Sequence, residues 1–100
     1  MLKRDLLELC LLHLLDQRDR YGYELLSRLH KGFPDTSESA VYALLRGLCR
    51  EGSTESYTEA GSGGPARKYY HLTPLGELKL GSLLRHWRAL RETMEELGVY

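Results

Sequence analysis

The residues Gly32-Phe33-Pro34-Asp35-Thr36 constrain this chain more than any others, because they separate two helix-patterned stretches by a single short turn. Gly32 suits a helix C-terminus, and Pro34 cannot continue a helix because it lacks a donor and clashes with the preceding turn. Phe33, the single phenylalanine, is expected to tuck inward between these turn formers. Before the turn, residues 21–31 (YGYELLSRLHK) place Tyr23, Leu26, Leu29 and His30 on one face, with Arg28 and Lys31 pointing away. Glu24 and Arg28 stand at i,i+4 in the favourable order. After it, residues 37–51 (SESAVYALLRGLCRE) carry Val41, Leu44, Leu45 and Leu48 at the spacing of a stripe pressed on a core. Ser37, Glu38, Ser39, Tyr42, Arg46 and Arg50 fall outside that stripe, and all can form hydrogen bonds. Asp35, Thr36 and Ser37 are each able to cap this helix, with Asp35 and Glu38 at capping-box-like spacing. Two helices joined by so short a turn form a helix-turn-helix over about residues 21–51.

The rest of the chain surrounds that unit. Residues 2–16 (LKRDLLELCLLHLLD) read as a first helix, with Leu2, Leu6 and Leu9 and then Leu7, Leu11, Leu14 and Leu15 covering more than half its circumference. Helices that apolar are usually covered on two sides, and in so small a domain another chain can supply the second cover. Residues 17–20 read as a polar connector. Gly22 weakens the start of the second helix slightly, so either it merely begins the turn or it admits the close approach of another backbone or a phosphate. Gly52 ends the third helix. Residues 54–59 and 67–72 alternate as short strands around the glycine-rich 60–66 (AGSGGPA), giving a two-stranded hairpin that needs the helical layer for stability. Thr73 and Pro74 then start a last helix as cap and first residue. Along it Leu80, Leu83, Trp87, Leu90, Met94 and Leu97 recur at spacings of 3, 4, 3, 4 and 3, a heptad seam. Such a seam favours pairing with a second copy, against the alternative of packing onto the first helix.

At 100 residues the chain reads as one domain, near the lower end of what a single core stabilises. Its 14 basic and 14 acidic residues balance, with ten of each in residues 1–72, so a nucleic-acid surface has to come from local segregation. Cys10 and Cys49 lie far apart within apolar patterns, which favours buried free thiols over a disulfide or redox sensor. The four histidines make no Cys/His pair at metal-ligand spacing, and no metal or cofactor is expected. The first helix is interrupted by charges and lacks both the length of a membrane span and a cleavage site, so a cytoplasmic protein with no membrane association is expected. No nucleophile–base pair or phosphate loop is present, and GSGGP lacks the lysine of a P-loop, so an enzyme is not expected.

Helix, helix, helix, hairpin, terminal helix is the order of a winged helix-turn-helix: mainly α with a small β-hairpin, an α+β class. Three blocks of this chain, YGYELLSRL, SESAVYALLRGLCREG and GPARKYYHLTPLG, resemble the PadR family of bacterial transcriptional regulators from about Leu2 to Leu90. The resemblance implies a homodimeric regulator, usually a repressor, whose recognition helix enters the major groove while its wing touches backbone or minor groove. It carries the family's tyrosines onto Tyr21, Tyr23 and Tyr42 and the basic wing residues onto Arg67 and Lys68. In some small members the dimer interface also forms an effector pocket. This sequence departs from the family pattern at Ala40, Val41 and Ala43 around Tyr42, at Ser53-Thr54 before the wing, and at Gly47, where a long basic residue is usual.

Double-stranded DNA is therefore the expected partner, bound by a homodimer through the recognition helix 37–51 and the wing 54–72. Ser37, Ser39 and Tyr42 suit phosphates, which position a protein without reading sequence, and the resemblance adds Tyr21 to the DNA-binding residues. Glu38 can accept from a cytosine amine or cap its own helix. Arg46 and Arg50 can reach phosphate or guanine, and Arg67 and Lys68 are the strongest electrostatic candidates. The helix over about 74–97 is expected to dimerise through Leu80, Leu83, Trp87, Leu90, Met94 and Leu97. A pair of Trp87 rings can line an apolar pocket for an aromatic or planar cationic effector, although aromatic residues at such positions more often form core. The competing expectation is a winged-helix protein-interaction module with lost or weak DNA binding, which zero net charge and Gly47 would fit.

Overall fold

The computed structural model describes residues 1–60 and 63–100. It contains α1 (Lys3–Gln17), β1 (Arg20–Tyr21), α2 (Gly22–Gly32), α3 (Glu38–Arg50), β2 (Thr54–Ala60), β3 (Ala66–Leu72) and α4 (Pro74–Leu97). No described helix is long and apolar enough to cross a membrane.

Each break has a local cause. Phe33 N–H donates to the Leu29 carbonyl at 2.8 Å as α2 ends, and the Phe33 ring packs partly buried against the core. Ser37, of the three residues able to cap α3, takes the role: its hydroxyl accepts from Ala40 N–H at 3.1 Å. Asp35 instead pairs with Lys3 of α1 at 3.0 Å. At the other end of α3, Gly52 adopts φ 84°, and Gly52 and Ser53 donate to the carbonyls of Cys49 and Leu48, a Schellman closure. Thr73 caps α4 by accepting from Gly76 N–H at 3.0 Å.

The hairpin gains a third strand. Residues 20 and 21 form β1, which pairs antiparallel with β3 (Arg20 with Tyr70, Tyr21 with Tyr69), so the sheet order is β1-β3-β2. This corrects both the polar connector at residues 17–20 and the two-stranded wing. A strand of two residues has no alternation to read, and Arg20 masks it because a charged residue reads as solvent-exposed. Arg20 is in fact buried: Nε donates to the Leu14 carbonyl at 2.9 Å, and the two Nη groups reach Glu24 and Gln17. The guanidinium thus ties the end of α1, the edge strand and α2 together, with its donors matched by acceptors.

The core joins Leu7, Leu11, Leu12 and Leu15 of α1 to Leu25, Leu26 and Leu29 of α2. Val41, Leu45 and Leu48 of α3, Tyr70 and Leu72 of β3, and Leu80 and Leu83 of α4 complete it. One expected face shifts, that of α2: Leu25 is fully buried, while Tyr23 and His30 are exposed. Helix α2 begins at Gly22 and turns its leucine pair inward, which leaves Tyr23 outside. Lys79 of α4 bridges Glu8 of α1 and Glu51 after α3 at 2.8 and 2.6 Å. Beyond Leu83 the α4 seam runs out of cover, with Trp87 and Met94 each 37% exposed and Leu97 72%.

Candidate nucleic-acid interface

The start of α2, the outer face of α3 and the strand β3 enclose a concave surface of about 640 Å³ lined by Tyr21, Gly22, Tyr23, Tyr42, Arg46, Arg67, Lys68 and Tyr70. Each element contributes for a local reason. β1 pairing fixes Tyr21 beside Tyr69 in an edge-to-face contact, with centroids 5.8 Å apart. Arg67 leaves the exposed end of β3 and lays its guanidinium 4.6 Å from the Tyr21 ring centre, a cation–π contact that holds the charge over the hollow. Lys68 lies 5.8 Å from the Tyr70 ring centre. The helical period of α3 puts Tyr42 and Arg46 one turn apart on the side facing the wing.

Gly22 finds its explanation in Tyr42. A Cβ on residue 22 would lie 2.8 Å from Tyr42 Cε1, so the missing side chain makes room for that ring. Within the chain, the close approach is made by this side chain and not by another backbone segment. Burial, with Glu38 and Tyr23 nearby, pushes the Tyr42 phenol above its ordinary value. Burial also pushes Tyr70 up, helped by Cys49 and Tyr42 and opposed by Arg46. Both phenols therefore stay protonated at neutral pH and can donate to an anion.

Charge is sorted even though the net is zero. Lys3, Arg4, Arg18, Arg20 and Lys79 are all ion-paired inside the chain. Among the described residues, Arg46, Arg50, Arg67 and Lys68 have no carboxylate partner. Internal pairing thus absorbs acid at structural positions and leaves the cations of α3 and β3 available, as it does Arg28 and Lys31 of α2 and Arg85, Arg88 and Arg91 of α4.

The other sequence-derived residues lie nearby but apart. Ser37 and Arg50 line a second groove, between α3 and the start of α1. Glu38 faces Tyr23, His30 and Lys31 in a third depression. Ser39 lies exposed, its hydroxyl 3.3 Å from that of Ser37. Tyr23 and Tyr70 join the main hollow, and the repeated aromatic of YGY was the signal available for Tyr23. On the outer wing face, Asp19 accepts from Tyr57 Oη at 2.7 Å and lies 2.7 Å from His71 Nδ1, pinning the segment before β1 to both long strands.

A helix-turn-helix followed by a β-hairpin, whose first strand packs against the second helix of the pair, is a winged helix-turn-helix. The model of the transcriptional regulator PadR-like family matches residues 11–82. The crystal structure of a PadR-like transcriptional regulator from Bacillus cereus is 39% identical, with a TM-score of 0.84 over 92% of this chain and 90% of that one. A Streptococcus mutans protein is 32% identical, with a TM-score of 0.86 over 98% and 92%. An uncharacterized protein from Lysinibacillus sphaericus is 32% identical over 93 residues, 89% of this chain and 84% of its own length. The chain belongs to the PadR-like family of transcriptional regulators.

Proposed function

We propose that the chain binds double-stranded operator DNA as a homodimer and acts in the cytoplasm as a repressor. The observation that carries this reading is the gathering of the unpaired cations Arg46, Arg67 and Lys68 with Tyr21, Tyr23 and Tyr42 around one hollow between α3 and the wing. α3 enters the major groove, where Arg46 and Arg50 are long enough to reach base edges or phosphate. Tyr42 and Tyr21 donate to phosphate, and Arg67 and Lys68 follow the backbone past the wing. Ser37, Ser39 and Glu38 meet the DNA at the start of α3.

The uncovered end of α4 supports the dimer. Trp87, Met94 and Leu97 are exposed along an apolar stripe that also includes half-buried Leu90, and a second copy buries it most directly. Paired Trp87 rings would give an aromatic or planar cationic effector a surface that relieves repression, and quenching of Trp87 fluorescence by such a compound tests this. Footprinting of the promoter beside the gene tests the DNA reading: protection is expected as two half-sites about 34 Å apart. A single unpaired site would remove the dimer, and no protection would remove the DNA reading.

A further inference from the structure

The outer face of the wing carries a row of three tyrosines, of which the DNA interface uses only Tyr21. Tyr69 of the middle strand β3 stands directly opposite Tyr21 of β1 on one side and Tyr57 of β2 on the other. Its ring stacks on that of Tyr57 with centroids 5.6 Å apart and meets that of Tyr21 edge to face at 5.8 Å. Both separations lie where aromatic pairs attract. The far end of the row is fixed, because Tyr57 Oη donates to Asp19 at 2.7 Å and Asp19 also lies 2.7 Å from His71 Nδ1. At the near end the Tyr21 ring carries the Arg67 guanidinium, 4.6 Å from its centre.

Arg67 has an acid directly across from it. Its partner on β2 is Glu59, and opposite charges that face each other across two strands ordinarily attract. Among the described residues no ion pair joins the two, and the guanidinium lies over Tyr21 instead. An exposed ion pair is weak in water, so a ring contact of ordinary strength is enough to decide between these poses. Strand β1 has two residues, too short a ladder to hold the Tyr21 ring by itself, and the contact with Tyr69 supplies the rest. We propose that Tyr69 is a positioning residue for DNA binding: through Tyr21 it holds Arg67 away from Glu59 and keeps that charge free for a phosphate. Tyr57, anchored on Asp19, steadies Tyr69 from the other side. Without the Tyr69 ring, Tyr21 loses its lateral support and the guanidinium swings to Glu59, which neutralises it. The role in binding rests on the reading of the hollow as a DNA interface, whereas the choice of Tyr21 over Glu59 does not.

In the DNA-free protein the side-chain proton shifts of Arg67 report that choice. The Tyr21 ring current should shield them in wild type and in Tyr69→Phe, which keeps the ring, and release them in Tyr69→Val, which keeps a strand-forming residue. Against the promoter fragment beside the gene, Tyr69→Val should bind about fivefold more weakly, with a salt dependence as shallow as that of Arg67→Gln. Tyr69→Phe should bind as wild type. Adding Glu59→Gln to Tyr69→Val should restore the wild-type salt slope, while Glu59→Gln alone should leave that slope unchanged. Such non-additivity is not expected of a wing that has merely loosened. Tyr57→Leu, at an exposed position, should act in the same direction as Tyr69→Val and repeats the test with the half-buried ring in place. Unshielded Arg67 protons in wild type, a wild-type slope in both variants, or Glu59→Gln acting equally in the two backgrounds would each overturn the role. Absence of binding by the wild type at low salt would overturn the DNA reading, and the role with it.

Discussion

Tyr42 of the third helix occupies the space that any side chain on residue 22 would need, its Cε1 standing 2.8 Å from the position of a Cβ there. The first residue of α2 thus determines where the phenol of α3 points. Gly22→Ala should leave the fold intact, because alanine improves helix propensity by about 1 kcal/mol and so offsets part of the clash. Operator affinity should nevertheless fall about tenfold, or 1.4 kcal/mol, as the ring is displaced. Anisotropy titration beside a urea melt separates the two effects, and unchanged affinity would disconnect Gly22 from Tyr42.

Gly76 is more constrained. A Cβ there would stand 2.0 Å from the Ser53 carbonyl oxygen, which also accepts from Thr73 N–H at 3.1 Å. Backbone meets backbone at this point, so no side chain can move aside. Gly76→Ala is expected to lower stability by about 3 kcal/mol in chemical denaturation, near the upper end for overpacking. A loss below ~1 kcal/mol would mean that the start of α4 shifts easily against the wing.

The pinning of the wing by Asp19 carries a pH signature. Burial raises this carboxyl, but hydrogen bonds from Tyr57 and His71 and the charge of His71 outweigh it, so its pKa is lowered. A lowered carboxylate contributes stability that is complete above its unfolded value near 3.9 and is lost as pH falls through the folded value. The Asp19 hydrogen bond, with smaller contributions from burial and neighbouring charge, pushes Tyr57 up to about 12. Asp19→Asn should flatten the acid limb of stability and return the Tyr57 titration, followed by tyrosinate absorbance, toward 10. An unmoved Tyr57 titration would contradict the contact.

The end of α4 gives a test of assembly. Met94→Glu places a charge in the uncovered stripe, more than a turn beyond the chain's own core. Sedimentation velocity should show wild type as a dimer and the variant as a folded monomer of unchanged helicity. A monomeric wild type would remove the dimer.

Much of this was legible in the sequence because helix period and punctuation are local. Pro34, Gly52 and Thr73-Pro74 placed three element boundaries correctly. What failed was partnership. The heptad seam is continuous in the sequence, yet Leu80 and Leu83 lie in the chain's own core while Trp87 and Met94 do not. Periodicity defines a face but cannot say what covers it. Arg20 and β1 were invisible because a buried arginine is identified only by its acceptors, and these come from α1 and α2. The outer face of α3 read as one surface, whereas its neighbours divide it among three hollows, with Arg46, Arg50 and Glu38 each in a different one.

The salt dependence of binding to the promoter fragment beside the gene tests the central claim most directly. If Arg46, Arg67 and Lys68 of both subunits each neutralise one phosphate, the log–log slope against salt should be about −5. Arg67→Gln should make it shallower by about 2, since the dimer loses two contacts. A flat slope, or no binding at low salt, would contradict the account.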